Sequence, residues 1–487
     1  MINLIVETSK YLIIILMALY TFSSYTVFRH HSEKKKNHIF TRQIILMFIM
    51  HFVAYVVMIL SLGDKELVIF YGAQVIYLAA TLIFYRFLYP KASRLVINHM
   101  CMLISIGFII QTRLSYKEST KQFKIIILST IIGMIVPVLI RKLKFLKDLT
   151  WLYAAAGIGL LGFVAIFAGD SYGAKMVMDF GSFAIQPSEF VKIIFVFFVA
   201  SMLYKNTSFQ RVVFVSCLAG AHVLILAASK DLGSALIFFV AYLVMLYAAS
   251  KEPAYLFGGI GVAVVGVFGA TKLIPKLFNH VKVRIAAWKD PFAIYDTDGY
   301  QMAQSLFAIG TGGWFGLGLG QGLPNSIPIV AQDFVFSAIS EELGGIFSIC
   351  LILLCMSCFI MFVNISMQIK NKFYKLVALG LGSIYGIQVF LTIGGAIKFI
   401  PSTGVTLPLV SYGGSSMLST LILFGIIQGM YILREDEDEI HEKQKQSESN
   451  KKETIKQEDT YGLTTEDIYA QRRAKEAKEI LEGKRRD

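Results

Sequence analysis

The sequence predicts an all-α polytopic membrane protein, and three observations carry that prediction. Hydrophobic residues fill 55% of the 487 positions and charged residues only 16%, far from the balance of water-soluble domains. Mean hydropathy is +0.62. Apolar runs of about twenty residues, the length a helix needs to cross a bilayer, recur between short hinges.

Thirteen such runs are legible, at about residues 8–28, 40–61, 66–87, 96–114, 122–140, 149–168, 187–204, 210–228, 232–250, 255–274, 334–364, 372–396 and 407–433. The first has no clear small-residue cleavage site, and the basic block HHSEKKK follows it, so it reads as a retained anchor. The basic blocks at Arg29 to Lys36, Tyr85 to Arg94, Arg141 to Lys147 and Lys370 to Lys375 share one side if the N-terminus is outside and the tail cytoplasmic. Three loops of unusual content then face outward: Gly169 to Glu189, Ile274 to Gln332 and Ile397 to Thr406.

From Arg434 onward the chain carries 13 Lys and Arg against 16 Asp and Glu, which leaves the membrane body strongly basic. That excess suits anionic lipid surfaces and gives no reason to expect nucleic acid. The tail has too few large apolar residues to bury a core and is expected to be mostly disordered, with Thr464 and Asp467 as a capping box for a short helix to about Leu481. All five cysteines lie in apolar runs and read as small buried hydrophobes, without disulfides or a metal site.

The run AQDFVFSAISEELGG, Ala331 to Gly345, sets one carboxylate at the mouth of a membrane helix and two more inside it. Charges are costly in lipid, so they mark a functional site by default; a helix cap explains one Asp but not this set. Asp333 is at headgroup depth, where partial desolvation favours a carboxylate able to accept a proton. Glu341 and Glu342 lie about two and a half turns deeper, and Glu342 is the better candidate to face inward, unless it pairs with another helix.

Gln186, Ser188, Glu189 and Lys192 open a helix after Pro187, which a first turn tolerates. Glu189 and Lys192 share a face at i, i+3, either as an internal ion pair or as a substrate contact. Lys272, Lys276, Lys282, Arg284 and Lys289 alternate with Leu277, Val281, Ile285 and Trp288 in an amphipathic stretch suited to the interface. It either docks on the membrane or recruits an anion, with Arg284 the best single residue for that. Gln301, beside Gly299 and Tyr300, sits in a loop-shaping cluster. GTGGWFGLGLGQG, Gly310 to Gly322, has no strand before it, so a dinucleotide reading fails; its glycines are expected to allow tight turns near a sugar or headgroup. Asp231 is at a helix start and reads as a possible cap. SYGGSS, Ser411 to Ser416, lacks a His in the outer motifs to activate a Ser nucleophile, and the one external His, His280, lies in the basic stretch. Its small residues suit close helix packing, with Ser415 and Ser416 as cavity liners.

Four motifs together, QPSEFVK (186–192), KDLGSAL (230–236), the stretch from RIAAWKDPF through GYQ and AQDF to EELGG (284–345), and PSTGVTLPLVSYGGSS (401–416), resemble the signatures of the SEDS family, which includes FtsW, RodA and SpoVE. The match spans about residues 95–433. The resemblance implies a ten-helix core that polymerises lipid II into peptidoglycan glycan strands, preceded here by about three extra transmembrane helices (1–94) and followed by a charged tail (434–487). It implies Asp333 as general base, and Lys192, positioned by Glu189, as a diphosphate contact. Gln186, Ser188, Arg284, Gln301, Glu342, Ser415 and Ser416 complete the expected substrate surface. Ala184 replaces an Arg found in RodA-like members, moving that cationic role to Lys175 or Arg284. Lys230 replaces the usual Pro before Asp231. A class B penicillin-binding protein is the implied partner and the bacterial cell membrane the implied location. A divalent cation, Mg or Mn, would assist the leaving diphosphate, although no dedicated ligand cage is legible. A lipid II transporter and a non-catalytic division scaffold are the rival readings.

Overall fold

A computed structural model describes the chain except residues 1, 31, 172–173, 180–183, 274–278, 462–465, 468, 471–472, 475–476 and 478–487. Lys276, Leu277 and Thr464 therefore lie outside the described residues, as do the side chains of Lys175 and His280. The helices are α1 (Ile2–Thr26), α2 (Glu33–Leu62), α3 (Glu66–Leu88), α4 (Arg94–Leu114), α5 (Tyr116–Lys142), α6 (Thr150–Phe167), α7 (Ser188–Leu203) and α8 (Phe209–Ala228). They continue with α9 (Leu232–Ser250), α10 (Pro253–Leu273), α11 (Asn279–Lys289), α12 (Tyr300–Gly312), α13 (Val335–Gln368), α14 (Lys372–Ala396) and α15 (Gly414–Tyr461).

Every predicted run is a helix, and among the described residues eleven helices are long and apolar enough to span a bilayer. The chain is an all-α polytopic membrane protein. α7, with 16 residues, is too short for that criterion. Two helices, α11 and α12, fold within the loop expected between the tenth and eleventh runs. The last helix begins at Gly414 rather than near 407, because residues 401–413 hold no regular helix. Between α6 and α7 the connecting segment forms a small antiparallel sheet in the order β1 (Gly169–Ser171), β2 (Ala174–Asp179), β3 (Ala184–Ile185), which the apolar pattern did not announce.

The chain divides into two units, residues 1–432 and 433–487. In the second unit the expected disorder gives way to helix as far as Tyr461. Interspersed opposite charges at helical spacing, such as Arg434 and Asp438 at 4.0 Å, support such a polar helix.

In the first unit α4 is the central column. Nearly all its residues from Leu95 to Leu114 are buried, the polar Asn98, His99, Ser105, Gln111 and Thr112 among them. α1 and α2 hydrogen-bond into it, with Tyr20 Oη meeting His99 Nδ1 at 3.2 Å, Gln43 Oε1 accepting from Asn98 at 3.0 Å and His51 Nδ1 meeting Ser105 Oγ at 2.9 Å, while α3 reaches α5 through Tyr77 Oη and Thr130 Oγ1 at 2.6 Å. His99 Nε2 continues to Ser357 of α13 at 2.9 Å. Side-chain bonds of this kind hold helices together where lipid offers no hydrophobic drive. The three additional helices are thus bonded into the core. One cysteine departs from expectation: Cys217, on α8, is exposed.

Candidate active site

The segment before α13 sets the position of Asp333. Gln111 of α4 donates to Ala331 O at 3.0 Å and to Val410 O at 3.1 Å. Tyr412 N donates to Ala331 O at 2.7 Å, and Ser411 Oγ donates to Gln332 O. The SYGGSS motif therefore acts as a clamp on the chain leading to Asp333, consistent with its small residues serving packing.

Opposite stands α11. Arg284 Nη1 donates to Ser402 O at 3.2 Å and Trp288 Nε1 to Lys398 O at 3.1 Å, so the amphipathic helix docks on the 397–404 loop. Gly404 lies between the two charged groups: a Cβ built there would be 3.6 Å from both Asp333 Oδ2 and Arg284 Nη2. Its φ of +74° belongs to the region that favours glycine. Burial pushes the Asp333 carboxyl up to about 6, with the Arg284 charge pulling the other way. The Arg284 guanidinium is itself drawn down by burial and supported by Asp333 and Asp231.

On the far side of Gly404 a cavity of about 30 Å³ is lined by Gln186, Glu189, Lys192, Asp231, Ser234, Ile237, Phe238, Val405 and Thr406. Lys192 Nζ lies 2.6 Å from Glu189 Oε2 and 3.0 Å from Gln388 Oε1, and Ser419 donates to Glu189 Oε2 at 2.8 Å. The internal ion pair of Glu189 and Lys192 is present, and both side chains also line this cavity. Asp231 caps α9 by accepting from Ser234 N at 3.0 Å, and Ser188 Oγ donates to its other oxygen at 3.3 Å. Burial raises the Asp231 carboxyl, with a smaller contribution from the charge of Glu189. Lys230 sits at φ 63°, which a proline ring fixed near −65° cannot adopt; that geometry accompanies the unusual residue. Ser415 Oγ accepts from Gln186 N at 3.0 Å and Ser416 bonds Thr406 at 2.7 Å, so both serines fasten the cavity wall.

Two expected contacts lie elsewhere. Gln301 Nε2 donates to Pro328 O at 2.7 Å and shapes the loop ahead of Asp333. The Glu342 carboxylate accepts from Arg113 Nε at 2.9 Å and from Gly320 N at 3.0 Å, the pairing with another helix left open by the sequence. The glycine-rich loop presses on α13 and not on an open headgroup site. A Cβ at Gly312 would meet Ser340 O at 2.1 Å and one at Gly316 would meet Glu342 O at 2.3 Å. α13 answers with a break at Gly344, φ 85°.

Gln111, Arg113, Gln388, Gly404 and Ser419 escaped the sequence reading. Gln388 carried a usable signal, a lone amide deep in the apolar run YGIQVFLT.

Comparison with known proteins places this arrangement. RodA of Mycobacterium tuberculosis, named a peptidoglycan glycosyltransferase, is 34% identical over 314 residues, covering 58% of this chain and 65% of the relative. The chain therefore spans slightly less than two thirds of that relative. Stage V sporulation protein E of Bacillus subtilis is 34% identical over 264 residues, covering 52% of this chain and 70% of the relative. The probable peptidoglycan glycosyltransferase FtsW of Tolumonas auensis is 32% identical over 346 residues, covering 67% and 88%. In fold, a solved chain from a peptidoglycan synthase complex that coordinates polymerization and crosslinking matches with TM-score 0.60 at 21% identity, over 70% of this chain and 98% of that one. RodA of Thermus thermophilus matches with TM-score 0.51 at 22% identity, over 70% and 97%. Residues 91–435 match the FTSW_RODA_SPOVE family of cell cycle proteins, and the chain belongs to that family.

Proposed function

We propose that this chain is a peptidoglycan glycosyltransferase of the bacterial cell membrane that polymerises glycan strands from lipid II, working on the outer face. The carrying observation is a carboxylate poised near 6 facing a guanidinium across a glycine. A base with a pKa close to the working pH is the kind that general-base catalysis favours. Asp333 takes the proton of the acceptor 4-hydroxyl as its oxygen bonds to the anomeric carbon of the donor with inversion. The bond from that carbon to the undecaprenyl diphosphate breaks, and the diphosphate leaves with the electron pair towards Arg284. A preorganised cation at that spot stabilises charge developing in the transition state. Gln186, Glu189 and Lys192 line the adjoining cavity, which at about 30 Å³ has room for a water molecule and not for a sugar, so they meet the donor headgroup only when that cavity opens.

Among the described residues no three His, Cys, Asp or Glu side chains converge as a cation cage. A Mg or Mn ion assisting the leaving diphosphate would be held mainly by the substrate's own phosphates, which requires no protein cage. The N-terminus is outside and the tail cytoplasmic in this reading. A class B penicillin-binding protein is the proposed partner, a reading supported by the fold likeness to a chain of a synthase complex.

The test is purified protein in liposomes given labelled lipid II. Formation of glycan chains supports the polymerase. Movement of the lipid between leaflets without polymer supports a transporter instead, and neither activity together with intact partner binding supports a scaffold.

A further inference from the structure

A second cavity, of about 270 Å³, opens among α2, α3 and α4, well away from Asp333 in sequence and built largely from the additional N-terminal helices. Its walls are apolar, with Phe40 and Phe48 of α2, Ala79 and Leu82 of α3 and Ile97 of α4. Two guanidinium groups, Arg86 near the end of α3 and Arg94 at the start of α4, line the same space. Arg86 is exposed and, among the described residues, makes no hydrogen bond or ion pair. Arg94 spends one N–H on Asn37 Oδ1 at 2.6 Å, which leaves most of its donors unused. The acid at the start of α2, Glu33, is already paired with Lys36 at 2.8 Å. The cavity therefore combines an apolar slot with two cations and no carboxylate among its lining residues.

We propose that this cavity binds one anionic phospholipid, an acyl chain in the slot and its phosphate on Arg86 and Arg94. Charge complementarity selects the occupant. Two like charges beside each other at a bilayer boundary repel, and an anion that bridges both relieves the repulsion. Basic pockets between transmembrane helices hold anionic headgroups for this reason, and the guanidinium fork matches phosphate oxygens. A neutral hydrocarbon would fill the slot but leave Arg86 without a counter-charge and Arg94 with only the charge of Glu33, which Lys36 shares. Free inorganic phosphate would satisfy the arginines but leave the slot empty. The site belongs to α2 and α3 as much as to α4, so it gives the additional helices a function that the catalytic residues do not need.

Native mass spectrometry of the delipidated full chain, offered phosphatidylglycerol and phosphatidylcholine in equal amounts, tests this. The expected result is one retained phosphatidylglycerol, preferred over phosphatidylcholine by at least about fivefold for each guanidinium engaged. Arg86→Ala, an exposed position where folding is not at stake, should cut that preference about fivefold. Ala79→Phe, which fills the slot, should lower retention of the lipid while Arg86 and Arg94 stay in place. Glycan synthesis should be unchanged by Arg86→Ala. Equal retention of the two lipids overturns the proposal. So does a preference that survives both substitutions, as expected if Arg86 merely reaches the bilayer surface, and so does displacement of the lipid by inorganic phosphate alone.

Discussion

Asp333 and Arg284 face each other across Gly404, a backbone position 3.6 Å from each charged group when measured from the Cβ it lacks. The arrangement sets a carboxylate and a guanidinium against one residue that lacks a side chain and leaves both partly desolvated. Three loop segments must meet for this to happen: the stretch before α13, the helix α11, and the 397–404 loop.

The pH dependence of glycan synthesis should report Asp333. Only its ionised form accepts a proton, so kcat/KM should fall as the pH drops through about 6. Rate measurements across the acid range, with Asp333→Glu as a comparison, check this.

Arg284→Ala removes the one named charge that holds the Asp333 carboxyl down. The acid limb should move to higher pH and KM for the lipid donor should rise. Arg284→Lys should restore part of both, because a point charge replaces the fork.

The Asp333 carboxyl has a folded pKa above its ordinary value of 3.8, so in the folded state the charged form is disfavoured. The penalty is fully present above about pH 6, shrinks between there and 3.8, and is gone below both values. Asp333→Asn should therefore melt no lower than the parent at pH 7.5, with the difference closing as the pH falls. Thermal unfolding in detergent at several pH values reads this out.

Gly404→Ala puts a side chain into a backbone with φ +74° and a methyl between Asp333 and Arg284. The strain costs about 1–2 kcal/mol. Activity should fall by more than the loss of folded protein explains, which a comparison of kcat with melting temperature would reveal.

Glu342 is fully buried against Arg113. Glu342→Gln leaves that guanidinium uncompensated and should destabilise by about 3–5 kcal/mol. Arg113→Met combined with Glu342→Leu should recover much of the loss, and this double variant should keep the parental KM, since the pair braces the glycine loop and does not line the cavity.

The helical layout was legible because lipid enforces a simple rule: a run of about twenty apolar residues has little choice but helix. Asp333, Lys192 and Glu189 were legible for the converse reason, as charges where charges are expensive. α12 was harder, since a loop segment outside the apolar runs follows no single solvent, whereas the basic stretch that forms α11 was readable as an interfacial helix. Glu342 shows the limit most plainly. Its depth in the run suggested a carboxylate facing inward or paired with another helix, and the structure gives it Arg113, a partner 229 residues away in the chain. Gln111 and Gly404 act through backbone geometry, one by holding carbonyls and the other by lacking a side chain, and neither effect leaves a mark in composition or periodicity.

The most direct measurement is glycan chain formation from labelled lipid II by purified Asp333→Asn protein beside its parent, with folding checked for both. A loss of about 10²-fold or more in a variant that stays folded is the predicted result. Polymer formed at the parental rate would contradict the assignment of Asp333 as the base.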